Sequence, residues 1–376
     1  MNITSAFFGY FYFLKKIRLT QTKKVIFYSE SKNYRNYFIN LINLLNKNSE
    51  ITVIYLTSDT DDMGVIDKNI NPIFIGNGFI RTLLFSLLKC DMLIMTLTDL
   101  GNHQIIKSKN CKNYLYIFHS LVSTHKTYTH EAFKNYDTIL TNGNYQKKEL
   151  EYYEKIYNHP KKKIYNTGYM YLEKLKNKNN NKNYSDKKVL FAPSWNKSKK
   201  NLFNDYADKI LDHLIKNKYS VTLRTHPELL KRSNSQINNI KKKYLNCKEF
   251  EINLDITNLD VLNDSSILIT DNGGIAMEYI LVQKKPVLFL NYMEKIHNKF
   301  FNENKFLAIE DSFKKFFGYE MKVEDIENID SNIKKATLEF STKVNEINNF
   351  AAKNEIILND QTLNASKIIR NITETS

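Results

Sequence analysis

Cysteine is almost missing from this chain. The three residues, Cys90, Cys111 and Cys247, lie far apart among 376 positions. That excludes a disulfide framework and any cysteine metal-ligand spacing, and it fits a reducing cytoplasm. Long apolar runs are missing too. No stretch reaches the roughly 20 apolar residues of a membrane span, so no transmembrane helix is expected. No small-residue cleavage site follows the apolar stretch Ala6 to Leu14, so it does not read as a removable signal. Acidic residues are in deficit, 40 against 55 Lys and Arg, for a formal net charge of +15. A globular enzyme needs no such excess, which points to an anionic partner. There is no aromatic-basic RNA motif and the lysines are scattered, so nucleic acid is not expected. No internal sequence repeat is present.

What is present is a globular composition, 42% hydrophobic and 25% charged. The length is too great for one ordinary domain and comfortable for two. Residues 1–23 run aromatics Phe7, Phe8, Tyr10, Phe11, Tyr12 and Phe13 into Lys15, Lys16 and Arg18. Two readings stay open: a helix packed on the domain, or an interfacial anchor on anionic lipid.

From residue 24 the apolar runs KVIFYS, ITVIYLTS, NPIFIG, DMLIMT, NYLYIFHS and YDTILT alternate with segments of helical spacing. Continuous runs of this kind indicate a parallel sheet covered on both faces. Residues 24–175 therefore read as a first Rossmann-like domain. Residues 176–187, polar and nearly free of apolar side chains, read as a linker. Over 188–330 the alternation restarts with KVLFAPS, YSVTLRTHP, FEINL, SILITD and PVLFLN, as a second Rossmann-like domain. Residues 331–376 read as helices packing back on the first. The fold class is α/β, with two such domains facing across a cleft.

Ligands of open parallel sheets bind outside the carboxyl ends of the strands. Four ends stand out: His119-Ser120, Pro193-Ser194-Trp195-Asn196, Arg224-Thr225-His226-Pro227, and Asp271-Asn272-Gly273-Gly274. Trp195 is the one tryptophan. The glycines permit close backbone approach and positive φ, and the helix after them directs unsatisfied N–H groups at a ligand; together these suit a phosphate. Arg224 and His226 suit an anionic group. His119, with His125 and His130 behind it, suits a base near neutral pH. Their spacings of six and five do not match a helical metal pair. His103, His159, His213 and His297 read as surface or turn residues.

These four ends, in this order over about residues 110 to 300, resemble the CDP-glycerol glycerophosphotransferase family, the teichoic-acid and capsule polymerases and primases of GT-B fold. The aromatic-His pair is Phe118-His119, with Ser120 where the family has glycine. The family's Pro-Thr-Trp-Arg segment corresponds to Pro193-Ser194-Trp195-Asn196, its His-Pro to His226-Pro227, and its Ser-Asp-Tyr-Ser-Ser segment to Thr270–Gly274. Two serines have become glycines and one arginine is lost. The donor could therefore be CDP-glycerol, another CDP-polyol or a nucleotide sugar.

The resemblance implies a cytoplasmic-side, peripheral inner-membrane transferase. It would move a polyol phosphate from a CDP-activated donor to a lipid-linked or polysaccharide hydroxyl, without cofactor or metal. His119 would take the proton, with Ser120 and His125 on the acceptor side. His226 would act with Arg224 at the phosphate. Ser194, Trp195, Asn272, Gly273, Gly274 and Glu278 would complete the donor site, with Asp271 on a ribose or polyol hydroxyl. The alternative is a GT-B glycosyltransferase using a nucleotide sugar in capsule or lipopolysaccharide synthesis.

Overall fold

The apolar runs of the first half form seven parallel strands: β1 (Lys23–Ser29), β2 (Ile51–Thr57), β3 (Ile73–Phe74), β4 (Cys90–Met95), β5 (Cys111–Ile117), β6 (Thr138–Thr141) and β7 (Lys163–Asn166). Their order in the sheet is β3-β2-β1-β4-β5-β6-β7. The structure is a computed structural model, described here for all residues except 1–2, 64–69, 102–104, 179–186, 197, 199, 256–257, 301–305 and 376. His103 and most of the expected linker lie outside the described residues. β4 is buried at every position, which is why the run reads as continuously apolar: helices cover both faces of the sheet.

The second half forms β8 (Lys188–Phe191), β9 (Ser220–Arg224), β10 (Phe250–Asn253), β11 (Ile267–Thr270), β12 (Val287–Asn291) and β13 (Gly318–Lys322). Their order is β10-β9-β8-β11-β12-β13, again all parallel. In both sheets the strand order reverses beside the first strand, between β1 and β4 and between β8 and β11. β13 gave no apolar signal because only Met321 in it is buried.

The chain divides into two compact units, Met1–Ser120 with Tyr128–Tyr171 and Glu355–Ser376, and Leu121–Thr127 with Leu172–Asn354. The tail differs from the expected return of everything after 331. Helix Ile329–Lys343 stays with the second unit, burying Ile329, Ile333 and Ala336 in its core. The helical run is broken after Lys353, where Glu355 and Asp360 take left-handed backbone. Only then does helix Gln361–Glu374 join the first unit, where Ala365, Ile369 and Ile372 pack with Phe38, Leu41 and Leu45. Gly168 makes that crossing possible. It has φ +71°, and an added Cβ would stand 2.3 Å from Gln361 Nε2 and 2.9 Å from the Ile356 carbonyl.

Helix Ile3–Leu19 packs on the first unit through one face. Ala6 and Phe13 are buried, and Tyr10, Leu14 and Ile17 lean on the same core. Gly9 sets the closeness of this contact, since a Cβ there would lie within 1.9 Å of the Phe74 carbonyl oxygen. Burying one phenylalanine contributes about 1.5–3 kcal/mol, so Phe13 alone is a substantial anchor for the helix. The opposite face is bare: Phe8 is 74% exposed, and Phe7, Phe11, Tyr12 and Leu19 are over half exposed.

Candidate functional site

In the second unit the sheet reversal puts the ends of β8 and β11 side by side, and their backbones are locked together there. Ala192 N–H donates to the Ile269 carbonyl at 2.9 Å, and Thr270 Oγ1 donates to the Ala192 carbonyl at 2.7 Å. The next residues form the first feature of the site. Ser194 N–H donates to Asp271 Oδ1 at 2.7 Å and its hydroxyl to Oδ2 at 2.9 Å. Asp271 is buried, and both its oxygens hold the Ser194 turn. Asp271, expected to bind a ribose or polyol hydroxyl, thus also shapes the loop that carries Trp195.

Trp195 is the centre of the cluster. The Arg232 guanidinium lies 5.4 Å from its ring centroid and Lys295 Nζ 5.5 Å. The His297 ring is 4.7 Å away and the His226 ring 6.0 Å. Each cation–π contact of this kind contributes about 0.5–1 kcal/mol at an exposed position and more when desolvated. Burial pushes the Lys295 pKa down, opposed by the charges of Asp271 and Glu310.

His226 has a second task. It is the N-cap of helix Pro227–Arg232, and its Nδ1 accepts the Glu228 N–H at 3.1 Å. A ring nitrogen that accepts carries no proton, so the imidazole proton sits on Nε2 and makes that atom a donor. Glu228 in turn accepts from Arg232 Nε at 3.0 Å and Lys231 Nζ at 2.9 Å. Arg224 closes β9 two residues earlier.

Asn272 donates from Nδ2 to the Met293 carbonyl at 2.9 Å, tying the β11 loop to the segment that carries Lys295 and His297. Gly273 does not use positive φ. Its φ is −114°, and a Cβ would meet nothing nearer than Ile275 Cγ2 at 3.3 Å. Gly274 opens a helix whose α-helical part ends at Glu278, itself half-buried.

The histidine-rich stretch is split between the units. His119 and Ser120 belong to the first. Rings of Tyr34 and Tyr37 meet the His119 imidazole edge-on at 5.1 and 6.0 Å, and Tyr169 donates its hydroxyl to the His119 carbonyl at 3.3 Å. His119 Nδ1 is buried with no hydrogen-bond partner among the described residues. Burial lowers the imidazole pKa to about 4. The Ser120 carbonyl accepts from Asn142 Nδ2 at 2.9 Å. His125, expected on the acceptor side with Ser120, belongs instead to the second unit and is wholly buried. Lys126 explains this. Its ammonium is held by Asp311 at 2.8 Å and Glu294 at 3.0 Å, and Ser123 N–H donates to Glu310 at 3.0 Å.

Lys295, His297 and Arg232 were not singled out from the sequence. The end of β12, Asn291-Tyr292-Met293-Glu294-Lys295-Ile296-His297, is a fifth polar strand end beside the four chosen, and that was the available signal. His297, read as surface or turn, packs against Trp195 with the two rings tilted by 49°. His159, read as surface or turn, sits in a turn but is buried.

The comparisons with known proteins agree with this architecture. The chain resembles the wall teichoic acid polymerase TagF, with a TM-score of 0.59, 15% identity and full coverage of both chains. A variant of that polymerase soaked with CDPG gives 0.58 and 14%, over 100% of this chain and 99% of the other. UDP-GlcNAc 2-epimerase from Neisseria meningitidis, bound to UDP-GlcNAc, gives 0.61 and 14%, over 94% of this chain and all of the other. At such identities these likenesses establish the fold, two Rossmann-like units of GT-B type. No curated protein matches the chain. The sequence profile of the CDP-glycerol:poly(glycerophosphate) glycerophosphotransferases matches residues 10–356. The chain belongs to that family, and is a transferase of CDP-activated glycerophosphate to teichoic-acid-like acceptors.

Proposed function

We propose that the donor's diphosphate binds the Trp195 cluster of the second unit. The observation that supports it is the meeting of Arg232, Lys295, His226 and His297 around one aromatic ring, where Asp271 is held by Ser194 and Glu228 is shared between Arg232 and Lys231. Cationic and N–H donors gathered in this way suit a diphosphate. In the step proposed, an acceptor hydroxyl oxygen attacks the β-phosphorus of CDP-glycerol. The bond from that phosphorus to the bridging oxygen breaks, and CMP leaves with the electron pair. His119 takes the hydroxyl proton, being uncharged at neutral pH. His226 Nε2–H, Arg224, Arg232 and Lys295 balance the charge that moves onto the leaving phosphate.

Offered CDP-glycerol and UDP-GlcNAc with a synthetic glycerophosphate-primed acceptor, the protein is expected to release CMP from the first and no UDP from the second. UDP release alone would reverse the donor assignment. A narrower check concerns Gly273. A methyl group there needs only a few tenths of an ångström from the Ile275 side chain, so Gly273→Ala should melt close to the wild type while binding CDP several-fold more weakly, because the methyl group stands where backbone would approach phosphate. Unchanged CDP affinity by calorimetry would count against the phosphate contact.

The acceptor end of the reaction involves a lipid surface in this reading. The bare face of helix Ile3–Leu19 has Phe7, Phe8 and Phe11 beside Lys15 and Arg18, and Phe79 and Leu87 stand exposed on the neighbouring helix Phe79–Leu87. Apolar side chains flanked by cations fit an anionic bilayer surface. No helix among the described residues is long and apolar enough to cross a membrane. Co-sedimentation with phosphatidylglycerol vesicles should fall with salt, and should drop in the Phe7→Ser/Phe8→Ser/Phe11→Ser variant. Equal pelleting with neutral phosphatidylcholine vesicles would reject the electrostatic part of this reading.

A further inference from the structure

His130, Glu131 and His159 lie outside the Trp195 cluster and take no part in the chemistry above. His130 and Glu131 open the short turn His130–Phe133, while His159 follows the helix Asn144–Ile156. Only the fold brings them together. His159 is 8% exposed, and its N–H donates to the Glu154 carbonyl at 3.1 Å, which fixes the turn. The His130 ring stacks on Tyr157 at 3.8 Å and 10°. The His130 imidazole is thereby oriented by its stacking, and the His159 backbone by its turn, before any ligand arrives.

They converge on one carboxylate oxygen. His159 Nε2 stands 3.3 Å from Glu131 Oε1, and His130 Nδ1 stands 3.4 Å from the same atom. One donor atom from each of the three residues lies within 4.8 Å of the others. Zinc binds nitrogen and oxygen at about 2.0–2.1 Å in tetrahedral sites, so its ligand atoms sit about 3.3–3.4 Å apart. Two of the three edges already have that length. The same distances would suit hydrogen bonds, and Lys134 Nζ competes for the carboxylate, at 3.1 Å from Oε2 and 3.3 Å from Oε1. Lys134 is a half-exposed, flexible chain that can turn to solvent. The other nearby lysine, Lys162, is paired with Glu154 at 3.7 Å.

We propose that His130, Glu131 and His159 form a site for a borderline divalent metal ion, with Zn²⁺ the best match. Two imidazoles and a carboxylate are the donor set such ions prefer, with water completing the tetrahedron. The ion would clip the His130–Phe133 turn to the end of helix Asn144–Ile156.

The test uses the full chain, treated with chelator, desalted and titrated with ZnCl₂ against a chromophoric chelator, then with CoCl₂. One ion per chain is expected, with visible absorption typical of tetrahedral Co²⁺ and a Zn²⁺-dependent rise in melting temperature. His159→Gln should weaken affinity by at least about ten-fold, as loss of a metal ligand does, while keeping a group that can still donate to Glu131. Lys134→Gln should tighten it, because a competing cation is gone. If His159→Gln fails to fold by circular dichroism, Glu131→Gln, at a more exposed position, replaces it. Wild-type protein that takes up no stoichiometric Co²⁺, or ligand variants that bind as well as the wild type, would overturn the site. So would a Lys134→Gln variant that loses binding.

Discussion

Replacing His226 with alanine is expected to lower kcat/KM by on the order of 10²–10³, the usual cost of removing one preorganised donor to a developing charge. Donor affinity should fall as well, because Nε2–H would touch the diphosphate before and during the reaction. The substitution has a structural cost that must be separated out. Nδ1 caps helix Pro227–Arg232 by accepting the Glu228 N–H, and loss of an N-cap typically costs about 1 kcal/mol. His226→Asn resolves the two effects, since asparagine is among the best N-cap residues. The asparagine variant should melt near the wild type and still be slow. Calorimetry with CDP beside CMP release reads both quantities. An asparagine variant as active as the wild type would show that His226 acts on the helix and not on the donor.

Much of this was open to inspection in the chain, for a physical reason. Strands covered on both faces, such as β4, leave continuous apolar runs, so the alternation of strand and helix and the loops that carry function could be read directly. β13 could not, because an edge strand with one buried residue leaves no such run. The strand ends were legible: Trp195 follows β8, Arg224 closes β9 and His226 comes just after it, as the pattern placed them. The rest of the candidate site depends on contacts distant in sequence. Lys295 and His297 reach Trp195 on a segment held by Asn272 and by the Lys126 carbonyl, which accepts from the His297 N–H, and no local pattern records those hydrogen bonds. Residues 121–127 join the second unit because Lys126 pairs with Asp311, 185 positions later. The part Asp271 plays in holding the Ser194 turn is likewise absent from any local pattern, since the two residues are 77 positions apart.

The remaining large effect belongs to His119. His119→Ala is expected to keep its affinity for CDP, because the candidate donor cluster lies on the other unit's strand ends and includes no atom of this residue. Turnover should fall by on the order of 10²–10⁴, the range of a general base. Burial holds the imidazole pKa at about 4, against about 6.5 in an unfolded chain. The ring is then uncharged throughout the neutral range, and kcat should show no His119 titration between pH 6 and 8. Stability carries the complementary signature. Below pH 6.5 the unfolded chain takes up a proton at this residue that the folded chain refuses until about pH 4. The stability tied to the neutral ring is therefore fully present above 6.5 and lost as pH falls toward 4. His119→Ala removes that loss, so the gap in denaturation midpoint between wild type and variant should narrow from pH 7 to pH 4. A gap that stays constant would mean that the ring is not held neutral. Normal turnover with normal CDP affinity would mean that the proton leaves to solvent, since His125 is wholly buried and His130 is engaged with Glu131.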